Sequence, residues 1–509
     1  MARKGYGDSL VSLKFCRSNS LYTGFLLAVF ISVIFVSLFS DFLPVWIGSF
    51  AGQRFFQIFL LVFVVFFVLI VPSSDARANL WVDNWPAFLV SIAFLIFAAP
   101  LTVSDYRWVE AGLFAFFFLA FSVLGWGIRA RCCTEKVAST LVSVVVVGCF
   151  FYAAMSLTAY SFAIADDFSK LIDIIPWGFV NMRYWSHLAT WFLPLFPLAL
   201  LCGRLRNSGL WRVGVFFTAG IWWWVALLTM SRGSVISLGL AALIVLTIFG
   251  RAVLPWLAVS IKFLLLGVFL WCLLSWAIPE LVFGETVIRS LHAGASGRFP
   301  LWWEAWQMSL RNFPLGMGVQ SWLTHPTITP EYSSVQNFGH PHNMYLMWAA
   351  EYGWALMAFV AILLGVTFKR LLSLRGPIVS GAREHASVIV AFSASCIAGL
   401  AHSGVSAVFM VPASMSAALV VLAVFWALTL QPNEGASASK GWSEAKSGRA
   451  GSKPMLACAV LILGVVWGQE VWRYHGAMEA DLGIYAESPS APFLPRFWLH
   501  GYFPRPDSQ

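Results

Sequence analysis

The chain has 509 residues, of which 60% are hydrophobic and only 11% charged, with a mean hydropathy of +0.79. A water-soluble domain is usually about 45–50% apolar and about 25% charged, so this composition excludes one and defines an integral membrane protein. The formal net charge of +9 does not indicate a nucleic-acid partner, because the Lys and Arg residues stand in short clusters between apolar runs and form no basic stripe.

In chain order, Arg3, Lys4, Lys14 and Arg17 precede an apolar run from Leu21 to Phe39. That run is longer than a signal-peptide core and lacks a small-residue cleavage site, so it reads as an uncleaved first span. Runs able to cross a hydrocarbon core of about 30 Å, roughly 17–25 residues each, fall at 21–40, 55–71, 85–101, 108–128, 137–162, 187–202, 211–230, 234–249, 253–278, 343–368, 386–406, 408–430 and 455–472. The expected fold is all-α, a polytopic bundle of about 12 to 13 transmembrane helices with one long loop containing short helices. The chain divides into N-terminal transmembrane helices (1–278), the loop (279–342), further transmembrane helices (343–430), a Ser/Gly/Ala-rich flexible linker (431–454), and a last helix with an irregular, proline-bearing tail (455–509).

Lys and Arg concentrate on the cytoplasmic loops of membrane proteins. With the N-terminus inside, one side receives Arg129, Arg131 and Lys136, then Arg204, Arg206 and Arg212, then Lys369, Arg370, Arg375 and Arg383, then Lys440, Lys446, Arg449 and Lys453. Segments 163–186, 231–233 and 279–342 then lie on the opposite face, and their cations are Arg183, Arg232, Arg289, Arg298 and Arg311, with Lys170 the one lysine. A guanidinium grips phosphate oxygens in a planar bidentate fork. Arginines placed against the charge trend point to an anion held at that surface; snorkelling at a helix end is the other account of any single one.

Within the long loop, the stretch from Arg298 to Arg311 carries apolar residues at helical spacing, with Trp302, Trp303 and Trp306 together. This is the pattern of an amphipathic interfacial helix with its indoles at headgroup depth, and it also suits sugar stacking. His340 and His342 stand two apart ahead of a helix that begins near Asn343. Asn343 is a suitable cap, and a histidine at a helix N-terminus meets the positive end of the dipole, which favours its neutral, proton-accepting form. Two histidines beside several arginines fit a general base next to an anion site; polar residues closing a helix end are the bland alternative.

A metal site on the same histidines would need further ligands, and Glu304, Glu331 and the Asp166-Asp167 pair show no metal spacing. Gly-rich phosphate loops, nucleophile elbows and HExxH patterns do not occur in the sequence. No metal, nucleotide or other cofactor is therefore expected. None of the eight cysteines lies between Pro279 and Asn343, so packing and hydrogen bonds must hold the loop. Glu351, Glu470, Lys262 and His402 are the main ionisable residues in apolar runs. A transporter or flippase usually lines its path with such charges or builds paired repeats around broken helices, and this chain shows little of either; Glu351, two turns past His342, belongs to the site or to helix packing.

Four segments resemble the O-antigen ligase and polymerase family of polytopic bacterial glycosyltransferases, the ligases above all. They are Asn181-Met-Arg183-Tyr-Trp; Met230-Ser231-Arg232-Gly233-Ser234; Ser296-Gly297-Arg298 with Leu301-Trp302 and Pro314-Leu315-Gly316-Met317-Gly318; and His342-Asn343 followed nine residues later by Gly353. The last is similar to the ligases' loop motif, except that Leu356 stands where they carry Gly, Thr or Tyr. The resemblance spans roughly residues 180 to 370 and implies a GT-C-like membrane fold in a bacterial inner membrane, with its site facing the periplasm. It also implies transfer of a glycan from undecaprenyl diphosphate to the lipid A core oligosaccharide, among membrane lipids and without nucleotide or metal. His342, or His340, is then the candidate base, and Arg183, Arg232 and Arg298 are the candidates for holding diphosphate. Asn343, Arg311 and Trp302 are secondary candidates. An O-antigen polymerase or a protein O-oligosaccharyltransferase would use the same donor and differ in acceptor.

Overall fold

The computed structural model describes residues 19–72, 79–99, 105–166, 168, 170–284, 286, 297–333, 338–380, 383–430, 452–487, 495–501 and 503–504. Arg289, Ser296, Asp167, Lys440, Lys446, Arg449 and nearly all of the expected linker lie outside the described residues. The principal helices are α1 (Ser20–Leu38), α2 (Phe50–Ile70), α3 (Leu80–Ala98), α4 (Arg107–Arg131), α5 (Thr134–Ala165), α6 (Met182–Phe192), α7 (Gly209–Leu228), α8 (Arg232–Phe249), α9 (Leu254–Trp271), α10 (Arg298–Arg311), α11 (Met344–Ser373), α12 (Arg383–Ser403), α13 (Pro412–Thr429) and α14 (Ser452–Glu487). No strand occurs among the described residues, and the chain is an all-α polytopic membrane protein.

Eleven stretches of the described residues are long and apolar enough to cross a membrane. They differ from the sequence expectation in three places. Arg232–Phe283 is a single stretch of 52 residues that turns at Gly250 (φ 59°, ψ −132°) and so comprises both α8 and α9. The expected span 187–202 is not one helix: α6 ends at Phe192, a 3-10 turn covers Leu193–Leu195, and a short helix finishes at Leu198–Leu201. Pro194 and Pro197 cause the break, since neither can donate a backbone hydrogen bond. A third difference lies at the C-terminus, where α14 runs to Glu487, so the chain from Arg473 to Glu487, expected to be irregular, is helical. The prolines of the tail all lie beyond that point.

Short polar caps start many of these helices. The side chains of Asn19, Ser49, Asn79, Asn181, Ser208 and Asn343 each accept a backbone N–H from the first turn, which satisfies donors that a helix leaves open. α4 and α13 are central, with nearly all of their span enclosed, whereas the α8–α9 stretch is peripheral. Phe94, Phe114 and Phe118 meet the rings of Trp348 and Tyr352 edge-on or stacked with one another, locking α11 to α3 and α4.

Successive helices alternate in direction, so the bundle has two ends with different chemistry. At one, arginines bind carbonyls at helix ends: Arg131 Nη2 donates to the Val68 carbonyl at 2.9 Å, Arg129 Nε to the Leu430 carbonyl at 3.3 Å and Arg370 Nη2 to the Asp83 carbonyl, in the first turn of α3, at 2.8 Å. Arg206 pairs there with Glu384, and His385 with Glu135. The candidate site residues lie at the other end.

The connection after α10 is fixed by a backbone crossing. Pro314–Gly318 docks on α11 through Met317 N–H to Ala350 O (2.8 Å), Gly318 N–H to Glu351 O (2.9 Å), and Ala355 N–H to Pro314 O (3.1 Å). α11 kinks at Gly353 (φ 88°, ψ 168°), a conformation essentially confined to glycine, and a Cβ there would stand 2.1 Å from the Pro314 carbonyl oxygen. Gly353→Ala is therefore expected to cost at least ~1–3 kcal/mol from backbone strain alone, read as a lower thermal midpoint of the detergent-solubilised protein. Gly24→Ala, where the new Cβ meets nothing within 4 Å, is the control expected to leave the midpoint in place; equal behaviour of the two would refute the crossing.

Candidate functional site

Three segments distant in sequence present arginines to one volume. Asn181 caps α6 by accepting the Arg183 N–H at 2.9 Å, which sets Arg183 in the first turn. Arg232 opens α8, and Ser234 ties that helix to α6 by donating to the Ser186 carbonyl at 3.3 Å. Arg298 opens α10, and its Nη1 donates to the Val405 carbonyl at 2.8 Å. Burial first, then the charges of Arg183 and Arg232, lowers the pKa of Arg298. Arg298 is partly buried and Arg183 and Arg232 are exposed; cations held near one another favour the approach of an anion.

The His340–His342 segment faces the same volume. The His342 backbone N–H donates to Nδ1 of His340 at 3.2 Å, so Nδ1 of His340 is unprotonated and its proton, in the neutral ring, sits on Nε2. The two rings are edge to face at 4.4 Å. His342 holds a left-handed backbone (φ 55°), a strained conformation for a side-chain-bearing residue, and its buried Nδ1 makes no hydrogen bond among the described residues. Asn343 caps α11 by accepting the Leu346 N–H at 3.0 Å. Burial first, then Arg496, Arg183 and Arg298, pushes the His340 pKa down to about 3. His342 falls further, from burial first and then from His340, Arg183, Arg298 and His187. Both imidazoles are therefore neutral in the ligand-free protein.

Arg183, Arg298, His340 and His342 thus share one electrostatic environment, and Arg232 joins them through Arg298. Arg311 does not. It is exposed at the far end of α10, roughly 20 Å along the helix from Arg298 at 1.5 Å per residue. Trp302 is half-buried against Leu301, Ala305 and Met308, with its indole N–H unpartnered among the described residues. On the opposite side of α10, Phe299, Trp303, Trp306, Leu310 and, just past its end, Phe313 remain exposed. That apolar stripe has the three- and four-residue spacing of one helix face.

Two histidines beneath the cluster complete it. His187 bonds Ser406 Oγ through Nε2 at 2.8 Å, His402 bonds Thr190 Oγ1 through Nδ1 at 2.9 Å, and their rings are 5.1 Å apart. His187 was not singled out in the sequence, although it lies one helical turn after Arg183 and hence on the same face; His402 was noted only as an ionisable residue in an apolar run. Beside them a cavity of about 420 Å³ is lined by Ser40, Asp41, Gln53, Gly178, Tyr184 and Leu499, among others.

Glu304, one of the carboxylates that shows no metal spacing in the sequence, has a structural occupation. Its carboxylate accepts from His325 Nε2 (2.9 Å), Ile328 N–H (2.7 Å), Thr329 N–H (2.8 Å) and Thr329 Oγ1 (2.5 Å), knitting the chain after α10 to that helix. Glu351 accepts the Trp322 N–H at 3.2 Å and both its oxygens accept from Arg496 Nη2 at 2.6 and 2.7 Å. Arg496 and its second partner, Glu110, had no signal in the sequence: they are 386 positions apart.

Fold and geometry define a polytopic membrane protein with a histidine–arginine site at one end of its bundle. Residues 216–361 match the family model described as O-antigen ligase, so the chain carries a region of the O-antigen ligase family. No curated protein matches the chain. The matched region contains Arg232, Arg298, His340, His342 and Gly353; Arg183, His187, His402 and Arg496 lie outside it.

Burial raises the Glu304 pKa, but the donors of Thr329, Ile328 and His325 outweigh it and hold the carboxyl below its ordinary range. A carboxylate depressed on folding contributes stability that is present above its unfolded pKa of about 4.3 and lost as pH falls through the folded value. Glu304→Gln is expected to cost ~1–3 kcal/mol at pH 7 and to weaken the fall in thermal midpoint below about pH 4.3. A pH dependence identical to the parent's would remove Glu304 from that role.

Proposed function

We propose that this chain is an O-antigen ligase that transfers a glycan from undecaprenyl diphosphate to the lipid A core oligosaccharide at the periplasmic face of the bacterial inner membrane, with its N-terminus in the cytoplasm. The family match supports ligase- or polymerase-type chemistry in general. The observation that carries the finer reading is His342, a neutral imidazole with an uncommitted ring nitrogen, set among Arg183, Arg298 and, through Arg298, Arg232. The carbonyl-binding arginines at the other end of the bundle agree with a cytoplasmic location for that end.

In this reading the donor diphosphate enters among the three arginines and relieves their mutual repulsion. Its negative charge also raises the imidazole pKa values toward the range where a base works well, which the empty site alone does not permit. His342 removes the proton of the acceptor hydroxyl as that oxygen attacks the anomeric carbon. The bond from that carbon to the diphosphate oxygen breaks, and the charge that develops on the leaving diphosphate is met by the guanidinium groups. A single displacement inverts the anomeric centre, and neither nucleotide nor metal takes part. His340 orients His342 through its backbone N–H. The exposed face of α10 lies among lipid headgroups and roofs the site, and the polar cavity beside Tyr184 receives sugar hydroxyls.

The test is reconstitution of the purified protein with undecaprenyl-diphosphate glycan and a choice of acceptors, in chelator and without nucleotide. Extension of lipid A core is expected. Extension of the glycan itself or of a protein would instead identify a polymerase or protein transferase, and bilayer crossing without transfer a flippase. His342→Ala is expected to abolish transfer in a folded, membrane-inserted protein, and a near-parental rate would eliminate it as the base. Arg298→Lys keeps the charge but loses the bidentate fork, so transfer is expected to fall by about tenfold or more, consistent with removal of one charge-assisted donor; an unaffected variant would reduce Arg298 to a structural anchor.

A further inference from the structure

The C-terminal segment is built into the wall of the site. Arg496 is 2% exposed, and Glu110 and Glu351 are fully buried. Its Nε and Nη2 donate to the two Glu110 oxygens at 2.9 Å each, and Nη2 also reaches both oxygens of Glu351. The remaining nitrogen, Nη1, donates to the Gly339 carbonyl at 3.3 Å, one residue before His340. One planar fork therefore joins the first turn of α4, the third turn of α11 and the histidine segment.

The surrounding chain holds that fork in place. Arg54 of α2 donates to the Phe497 carbonyl at 3.1 Å and to the Arg496 carbonyl at 3.4 Å, and also to the Met410 carbonyl. Its guanidinium sits 4.8 Å from the Phe497 ring centre. Tyr474 of α14 donates to the Phe503 carbonyl at 2.9 Å, and His500 bonds Asp481 of the same helix at 2.6 Å. The tail is thus anchored to α2 and α14, while its one buried guanidinium reaches inward to the site.

We infer that Arg496 is a positioning residue for the transfer reaction: it fixes the Gly339–His340–His342 segment against α4 and α11 so that His342 points at the diphosphate site. The inference rests on the reading of His342 as the base. Arg496 touches no substrate and acts through Gly339 and through its charge. Facing His340 are Arg496 from the tail, Arg183 from α6, Arg298 from α10 and His342 from its own segment; behind Arg496 stand Glu110, Glu351, Tyr352 and Tyr474. Loss of the Arg496 charge lets His340 take a proton at higher pH. Protonation at Nδ1 removes the acceptor of the His342 N–H, so the segment loses its order as the pH falls.

The experiment measures transfer from undecaprenyl-diphosphate glycan by the full-length reconstituted protein over a range of pH. Arg496→Lys retains a charge but cannot span two carboxylates and a carbonyl at once. Its kcat is expected to fall at least about tenfold with donor KM within about threefold of the parent, since misplacement of a catalytic group is felt in the transition state. Should that variant not fold, the neutral triple substitution Glu110→Gln, Glu351→Gln and Arg496→Met removes the buried charges together, which buried ion clusters often tolerate. In the folded triple variant kcat is expected to stay low with donor KM again within about threefold of the parent. A kcat within about twofold of the parent in either folded variant would overturn the role of Arg496. A His342→Ala protein that still transfers glycan would instead overturn the reading of the base, so the two failures are separable.

Discussion

Irregular backbone and charged side chains persist within the apolar part of a membrane bundle only where protein or water satisfies them. In this structure the requirement is met around the Arg496 guanidinium, which answers two buried carboxylates and a loop carbonyl together. Removing one member of such a set leaves an uncompensated buried charge, typically a cost of about 3–5 kcal/mol. The tail, α4, α11 and the histidine segment consequently stand or fall as one unit. The family match covers only two parts of that unit, α11 down to Ala361 and the histidine segment.

Strain is concentrated where the chemistry is proposed. Among the described residues, those other than glycine with positive φ are Met230, Gln320 and His342. Met230 precedes the turn into Arg232, Gln320 bonds Tyr474 beside the docked chain after α10, and His342 carries the candidate base. Each is held by surrounding hydrogen bonds or packing, the condition under which a sparsely populated backbone conformation persists. The electrostatics point the same way. Arg298 and both histidines are pushed away from their charged forms, so these surroundings disfavour further positive charge and favour an anion.

Legibility in the sequence followed the range of the interaction involved. Helices were readable because length and hydropathy are local properties. Errors arose where a local feature interrupted a run, as Pro194 and Pro197 do in the span after α6, or where polar residues such as Arg473 sat in a helix that packing sustains. Asn343 was readable as a cap because capping needs only the next three residues. The motif pairing His342 with Gly353 has a physical basis that sequence alone concealed: Gly353 is the point at which Pro314–Gly318 crosses α11, so two separate parts of the resemblance are in contact. Leu356, the departure from that motif, is fully buried one turn beyond the crossing. Arg311 was a secondary candidate because it bears the same charge as Arg298 on the same expected helix, yet a helix of that length carries them to opposite ends.

The amino-acid sequence by itself determined the solvent and the class of this protein. Apolar runs of membrane length require helices whose backbone bonds are closed within each segment, and the bias of Lys and Arg sorts their ends. It also nominated His340, His342, Arg183, Arg232 and Arg298, because their types carry acid–base and anion chemistry wherever they occur. Tertiary structure alone decided which of these meet, and it brought in His187, His402, Glu110 and Arg496. A buried charge is stable only beside a partner, and in a bundle of alternating helices that partner can lie hundreds of residues away, where no spacing rule reaches it.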